Sequence, residues 1–143
     1  DLVVEPLFVE QIVPLANPAF IQEHRLKRPE QLQGVPLIQS YVNVVQWPDW
    51  FAAFGGQRAP DRIPRRFDRA QMSIDAATQG LGVALESTTL AGRHIAERRL
   101  RPVFGFDKSI SIKAHFAVYP ARHARRAPVE AFLAWLHREA AKG

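Results

Sequence analysis

Apolar positions along the chain switch between the spacing of a strand and the spacing of a helix. Residues 2–10 and 11–16 are rich in Val, Ile, Leu and Phe and predict two extended segments. Asn17 followed by Pro18 predicts a short helix over residues 19–24. Asparagine accepts hydrogen bonds at an N-cap, and proline needs no donor at the first helical position.

A second strand and an aromatic helix follow. The apolar run at residues 35–38 predicts a buried strand that ends at the polar pair Gln39 and Ser40. Four aromatic residues then recur at helical spacing, and the glycines at 55 and 56 terminate that helix. They are Trp47, Trp50, Phe51 and Phe54. The stripe predicts the buried side of the helix.

The central segment predicts further alternation of helices and strands. Asp68 is the expected N-cap of a helix over residues 68–79, with Gly80 in a left-handed turn after it. The expected apolar side contains Ile74, Ala77 and Leu81. A strand at 83–85, a helix at 90–97 with Ser87, Thr88 or Thr89 as cap, and an extended segment at 100–104 complete this region.

The C-terminal part predicts a long strand and a last helix. Residues 110–118 alternate in polarity, which places Ile110, Ile112, Ala114, Phe116 and Val118 on one face. Pro128 opens a helix with an apolar stripe formed by Val129, Phe132, Leu133, Leu136 and Ala140. The order of elements predicts an α/β domain with a largely parallel sheet, in which ligands bind at the carboxyl ends of strands.

Composition narrows the class of protein. The 143 residues, 47% of them hydrophobic, are enough for one globular domain with a real core. No apolar run reaches the roughly 18 residues of a membrane span, and no signal segment opens the chain. The chain has no cysteine, which excludes disulfides and thiolate chemistry. We therefore expect a cytoplasmic protein with no membrane contact.

The net charge of +5 raises the question of nucleic-acid binding. The arginines form three clusters, each at a turn or a helix end: Arg62, Arg65, Arg66 and Arg69; Arg93, Arg98, Arg99 and Arg101; Arg122, Arg125 and Arg126. No aromatic residue is interleaved with them as a base-stacking surface requires. We interpret the clusters mainly as solvated faces.

Sequence motifs for catalysis, metal binding and phosphate binding are absent. The glycines at 80 and 82 follow a predicted helix instead of opening one, so they form no phosphate-binding loop. The histidines are His24, His94, His115, His123 and His137, and none has zinc-ligand spacing. The serines at 40, 73 and 87 lack the Gly-x-Ser-x-Gly turn of a nucleophile. We predict no enzyme activity, metal or cofactor.

Two places are candidates for ligand binding. Gln39, Ser40 and Tyr41 follow a predicted strand, and Phe67 to Ala70 precede a predicted helix. Free N–H groups at such ends attract anions, and Arg65, Arg66 or Arg69 nearby offers a bidentate partner. Ordinary capping by Asp68 and an ordinary loop after the strand are the alternative, and the sequence leaves both open.

Taken together, the motifs resemble the effector-binding domain of LysR-type transcriptional regulators, in particular the branch of the glycine-cleavage activator and the β-lactamase regulator. The matching stretches are LFVEQIVPLANPAF at 7–20, VPLI at 35–38, WPDWF at 47–51, FD at 67–68, AATQGLGVAL at 76–85, FAVYP at 116–120 and VEAFLAWL at 129–136. Each stretch is weak alone. Their joint order and spacing are specific and span nearly the whole chain.

The resemblance implies a Rossmann-like subdomain of a type 2, periplasmic-binding-protein-like fold, with an effector held between two subdomains. Residues 1–108 correspond to the second subdomain. Residues 109–143 correspond to a strand and helix that return toward the first subdomain, most of which would precede Asp1. The last helix is then expected to pack differently from the family or against a neighbouring chain, and otherwise to expose its apolar stripe.

The resemblance also implies the functional residues and partners. The effector-binding positions carried over to this sequence are Gln39, Ser40, Tyr41, Asp68, Arg69 and His115. Arg69 and Ala70 depart from the family, which often has small hydroxyl residues there. The implied partners are a small, anionic effector and further copies of the chain, with DNA contacted only through an N-terminal module.

Two other functions remain open from the sequence. A solute-binding protein of a transport system shares the fold, and an export signal before Asp1 would favour it. A nucleic-acid-binding domain acting through its basic surface would bind DNA in a strongly salt-dependent way.

Overall fold

The computed structural model describes residues 1–142 and divides into two compact units. Unit 1 contains Asp1–Glu10 and the residues from Ser111 onward, and unit 2 contains Gln11–Ile110. The assignment of residues 1–108 and 109–143 to two subdomains of a larger domain stays a prediction.

Unit 2 is built on a mixed sheet. Its strands are β1 (Leu2–Ala16, which begins in unit 1), β2 (Leu37–Ser40), β3 (Arg65–Phe67), β4 (Val83–Ser87) and β5 (Arg101–Pro102), in the order β3-β2-β4-β1-β5. β2 is parallel to β3 and β4, whereas β1 is antiparallel to β4 and β5. The prediction of a largely parallel sheet is therefore wrong for β1, although the α/β class is confirmed.

Four helices of unit 2 connect these strands. They are α1 (Pro18–Glu23), α2 (Trp47–Trp50, continued by a π-helical turn over Phe51–Gly55), α3 (Ala70–Thr78) and α4 (Gly92–Ala96). The predicted start of α1 is confirmed, because Asn17 Oδ1 accepts a hydrogen bond from Ala19 N at 2.8 Å. Asn17 Nδ2 also donates to Thr78 O, so the same side chain joins the start of α1 to the end of α3.

The observed strand β2 lies two residues later than predicted. Pro36 has no N–H, but its carbonyl accepts from Val83 N at 3.0 Å, and the strand begins at Leu37. Gln39 and Ser40 thus belong to the strand, which ends at Ser40 and is buried along its whole length. Burial on both faces follows from the central position of β2 between β3 and β4.

Three further predictions of local structure are wrong. The N-cap of α3 is Arg69, so Asp68 does not cap this helix. Leu81 is 42% exposed, because the turn at Gly80 (φ 77°) carries the chain away from the apolar side of α3. α4 is also shorter than predicted. Ser87 Oγ accepts from Thr89 N and Leu90 N, so it caps a turn that precedes this helix.

The core of unit 2 has two faces. α3 covers one face of the sheet, where Val13, Leu15, Ile38, Ile74 and Ala77 form a fully buried cluster. Each such side chain contributes roughly 1–3 kcal/mol through burial. On the other face, the predicted aromatic stripe is confirmed, with Trp47, Trp50 and Phe51 at most 1% exposed and Phe54 partly buried.

Unit 1 consists of the first part of β1, the strand β6 (Ile110–Pro120), a 3₁₀ turn (Ala121–His123) and α5 (Ala127–Ala140). β6 pairs with β1. The predicted strand at 110–118 is confirmed by β6. In its second half the more apolar face is the exposed one, since Phe116 and Val118 are 45% and 56% exposed and Ala117 is buried. α5 lies close to this part of β6, because Ala117, Val118 and Tyr119 line a groove together with Phe132, Leu133 and Leu136 of the helix.

The predicted apolar stripe of α5 is only partly covered. None of the residues of α5 (Ala127–Ala140) is buried, and Phe132 is 56% exposed. Phe132 contacts Trp135, which is also about half exposed. Unit 1 thus presents a mainly apolar surface, which we call the unit 1 apolar face: Phe116, Val118, Phe132 and Trp135.

A polar cluster holds the three elements of unit 1 together. Glu5 on β1 accepts hydrogen bonds from Tyr119 on β6 and from His137 Nε2 on α5. The hydrogen bond from Tyr119 and then that from His137 lower the pKa of Glu5 below its ordinary value. The Glu5 carboxylate in turn raises the pKa of Tyr119.

We expect acid to destabilise unit 1 through Glu5. Because the pKa of Glu5 is lowered in the folded state, its contribution is complete above the ordinary glutamate pKa. This stabilising contribution is lost as the pH falls from the ordinary glutamate pKa through the lowered pKa of Glu5. Glu5→Gln should remove this part of the pH dependence while leaving unit 2 unchanged. Hydrogen exchange of β6 and α5 amides between pH 6 and pH 3, roughly the range of carboxyl titration, measures the effect.

Glu130→Gln is the matched control, because Glu130 is exposed in the first turn of α5. An acid response in Glu5→Gln equal to that of the unaltered chain would contradict the assignment.

Candidate functional site

Five of the six predicted effector residues lie together at one edge of the sheet in unit 2. Ser40, at the end of β2, pairs with Phe67, at the end of β3. Tyr41 N donates to Phe67 O at 2.9 Å, so the chain segments that follow the two strands start side by side. Gln39, Ser40 and Tyr41 therefore neighbour Asp68 and Arg69.

The first turn of α3 begins at the same edge. Ala70 is the first helical residue, three positions after the end of β3, and Ser73 N is bonded to Arg69 O. Within residues 1–142, no side chain caps this helix. The N–H groups of its first turn have no acceptor inside the helix and carry partial positive charge. This end of the sheet therefore favours a negatively charged group.

Two buried serine hydroxyls lie on the side of the sheet that α3 covers. Ser40 alternates with Gln39 along β2 and so shares its face with Ile38, which contacts the α3 cluster. Ser73 lies in the first half of α3, beside Ile74. Both serines are 0% exposed, and neither Oγ has a hydrogen-bond partner among the described residues. An unsatisfied buried hydroxyl costs about 1–3 kcal/mol, and native proteins usually avoid that cost.

Ser73 lies at this candidate site but was not among the effector residues predicted from the sequence. Its signal was present, because Ser73 is the only polar position on the buried face formed with Ile74, Ala76 and Ala77. A serine on the covered face of a helix needs either a partner or a function.

The other predicted residues have visible partners or exposed positions. Gln39 is 2% exposed; its Oε1 accepts from Trp47 N and its Nε2 donates to Ser40 O, so it positions α2. Tyr41 is 61% exposed, and the guanidinium of Arg66 lies 5.6 Å from its ring centre. Asp68 and Arg69 are exposed.

His115 belongs to unit 1. Its Nε2 lies 2.9 Å from Glu10 Oε1, and its ring stacks on Phe8 at a centroid distance of 4.5 Å. Glu10 is 5% exposed, so the imidazole provides a hydrogen-bond partner for a carboxylate that is largely withdrawn from water.

Over residues 1–142, no group of three or more His, Cys, Asp or Glu side chains is close enough to hold a metal ion. In the same range, every helix is too short or too polar to span a bilayer.

The mixed α/β sheet, with polar strand ends facing a helix N-terminus, defines a class of small-molecule-binding domains. Residues 1–141 match the LysR substrate binding domain, and the chain belongs to the LysR family.

Relatives and solved structures agree with this assignment. The chain is 39% identical over 135 residues to the HTH-type transcriptional regulator PerR of Escherichia coli, covering 94% of this chain and 44% of that protein. It is 31% identical over 137 residues to the HTH-type transcriptional activator AmpR of Rhodobacter capsulatus, covering 96% and 45%. The effector domain of AmpR from Pseudomonas aeruginosa superposes with a TM-score of 0.78 at 27% identity, covering 98% of this chain and 66% of that chain.

These matches confirm the predicted type 2, periplasmic-binding-protein-like fold. The chain is an effector-binding domain of the LysR family, and its homologues are transcriptional regulators. It spans less than half the length of these two regulators.

Proposed function

We propose that this chain senses a small anionic effector at the edge of unit 2 where β2, β3 and α3 meet. The observation that carries this proposal is the pair of buried, unpartnered hydroxyls of Ser40 and Ser73 on the side covered by α3. A ligand with hydrogen-bonding oxygens would satisfy such hydroxyls.

The charge of the effector is inferred from the first turn of α3 and from Arg69, which lie at the ends of β2 and β3. The uncapped N–H groups of α3 favour a carboxylate or a similar anion, typically by 0.3–1 kcal/mol or about twice that in a partly buried geometry. Arg69 is exposed at the N-cap and offers a bidentate partner for a carboxylate. The carboxylate of Asp68, beside it, disfavours a dianion relative to a monoanion. His115 remains a predicted effector residue.

We further propose that the chain is the C-terminal part of a regulator whose DNA-reading module lies outside it. The coverage of 44% and 45% of two HTH-type regulators supports this proposal. In such a protein, effector binding would shift the closure of two subdomains within a homo-oligomer, and so change how the attached modules hold DNA. Membership of the glycine-cleavage-activator branch also remains a proposal.

The unit 1 apolar face fits the same arrangement. About a third of the AmpR effector domain has no counterpart in this chain. We propose that the corresponding part of the regulator covers Phe116, Val118, Phe132 and Trp135, since contiguous apolar surface of this kind is normally buried.

Replacing Ser73 by alanine tests whether its hydroxyl serves ligand binding or the stability of the fold. Because Ser73 Oγ has no described partner, we expect Ser73→Ala to keep or raise the free energy of unfolding, by up to about 1 kcal/mol. The matched control is Ser87→Ala. Ser87 is also buried, but its Oγ accepts two backbone N–H groups, and its loss should cost about 1 kcal/mol. Urea unfolding measures both.

Effector binding is measured on the same variants with acetate, succinate and glutamate as probes. A probe that raises the melting temperature of the unaltered chain should bind Ser73→Ala at least about tenfold more weakly, and Ser87→Ala unchanged. Equal binding by Ser73→Ala, or a stability loss equal to that of Ser87→Ala, would overturn the proposal.

A further inference from the structure

Unit 2 contains a second concave region, on the other face of its sheet. A cavity of 890 Å³ lies between α2 with its π-helical turn, the segment at residues 56–63, and the outer strand β3. This volume is within the range of small-molecule sites. Pro48, Phe51 and Ile63 contribute apolar walls, and Gln39, Arg58 and Arg66 contribute polar groups.

The strand register separates this cavity from the effector site proposed above. Gln39 pairs with Arg66, and Ser40 pairs with Phe67. Since neighbouring side chains along a strand point to opposite faces, Gln39 and Arg66 lie on the face away from α3. Phe67 packs with the α3 cluster, as this alternation requires. The cavity is therefore a different site from the one at Ser40 and Ser73, and Gln39, which the sequence predicted as an effector residue, lines this cavity.

The segment that closes the cavity is held in place. Gln33 Nε2 donates a hydrogen bond to the carbonyl of Arg58, and Ile63 is only 8% exposed. Arg58 Nη2 lies 2.8 Å from Asp61 Oδ1. The Gln33 hydrogen bond joins the segment to the 3₁₀ helix before β2 (Pro29–Gly34), and Ile63 packs into the apolar wall, so the segment is attached to the rest of unit 2 at two points.

The charges of the lining define the ligand class. Two arginines and one aspartate line the cavity, which leaves a net charge of +1. Asp61 is engaged by Arg58, whereas Arg66 is exposed and contacts only the face of Tyr41 among the ion-pair and ring contacts of residues 1–142. A guanidinium in this position has its fork of donors available for a carboxylate.

We infer that this cavity is a second ligand site, which binds a small organic monoanion with an apolar body. The carboxylate pairs with Arg66, and the apolar body lies against Phe51 and Ile63. This inference does not depend on the effector site at Ser40 and Ser73, because the two sites lie on opposite faces of the sheet.

The test uses benzoate and its neutral analogue benzyl alcohol, titrated into the ¹⁵N-labelled chain. We expect benzoate to bind with a millimolar or lower dissociation constant and to shift the side-chain amide signals of Gln39 and Gln46, which line the cavity. Benzyl alcohol and the Arg66→Gln variant should each show at least about tenfold weaker binding, since the charge-assisted pair is lost. Arg62→Gln removes an equal charge from an exposed position outside the lining and should bind benzoate unchanged.

Several results would each overturn the inference. They are the absence of shifts at Gln39 and Gln46, equal binding of benzyl alcohol, or equal loss in Arg62→Gln and Arg66→Gln. Shifts confined to Ser40 and the first turn of α3 would also overturn it, while supporting the effector site. Ser73→Ala should leave benzoate binding at the cavity unchanged, so the two proposals fail independently.

Discussion

Trp47→Ala is expected to destabilise the chain by about 3–5 kcal/mol, close to the total stability of many domains of this size. Trp47 is 0% exposed, and its ring contacts Trp50 and Phe51 at centroid distances of 5.8 Å. Its indole Nε1–H donates to Ile38 O at 2.8 Å. The substitution removes a large apolar volume from the core and also leaves a backbone carbonyl of the central strand β2 without that donor.

The measurement is urea unfolding followed by far-ultraviolet circular dichroism, which does not depend on the number of tryptophans. Trp135→Ala is the matched control, because Trp135 is 47% exposed on α5 and should cost under about 1 kcal/mol. Similar losses for the two variants would show that the aromatic stripe of α2 is not the core element described above.

Gly82→Ala is the second substitution with a large expected effect, about 3 kcal/mol. A Cβ on Gly82 would lie 2.4 Å from Pro36 O, the carbonyl that accepts from Val83 N. The φ of Gly82 is also 156°, which side chains rarely adopt. The backbone of β2 cannot move away without losing its pairing to β4, so the clash and the strain add.

Gly80→Ala distinguishes the steric clash with Pro36 from the backbone strain of a positive φ. Gly80 has a positive φ of 77° but open space around it, so only the backbone strain applies and about 1 kcal/mol is expected. Thermal unfolding of both variants measures the difference. If Gly80→Ala were as costly as Gly82→Ala, close packing between β2 and β4 would not be the cause.

Local signals in the sequence predicted local features of the fold well. Asn17 and Pro18 predict the start of α1 correctly, because their effects on helix formation involve only backbone groups within two residues. The aromatic spacing of Trp47, Trp50 and Phe51 predicts their shared burial because helical geometry alone places them on one side. Contacts between residues close in sequence are read directly from the pattern.

Features that depend on distant partners were not predictable in the same way. β6 has a regular alternation, but the alternation alone does not show which side is covered, and Phe116 is exposed whereas Ala117 is buried. The antiparallel direction of β1 depends on its pairing with β4, about 70 residues away. The bounds of β2 depend on a hydrogen bond from Val83 to Pro36.

The candidate site shows the same division. The sequence predicted that a strand end near Ser40 and a helix start near Arg69 would form a candidate site, because both follow from the α/β order. The exact bounds were wrong, since β2 ends at Ser40 instead of Ile38 and α3 begins at Ala70 instead of at Asp68. The importance of Ser73 was missed, since its lack of a described partner exists only once α3 covers the sheet. Gln39 was included for its polarity, but in the structure it is bonded to Trp47 and Ser40.

The two hydrogen bonds of Asn17 carry a consequence for the kinetics of folding. Its bond to Ala19 N spans two residues and can form as soon as α1 nucleates. Its bond to Thr78 O joins residues 61 positions apart and must wait until α3 docks. One asparagine side chain therefore takes part in an early local event and a late long-range one. We therefore expect the loss of the bond to Thr78 to raise the unfolding rate more than it lowers the folding rate.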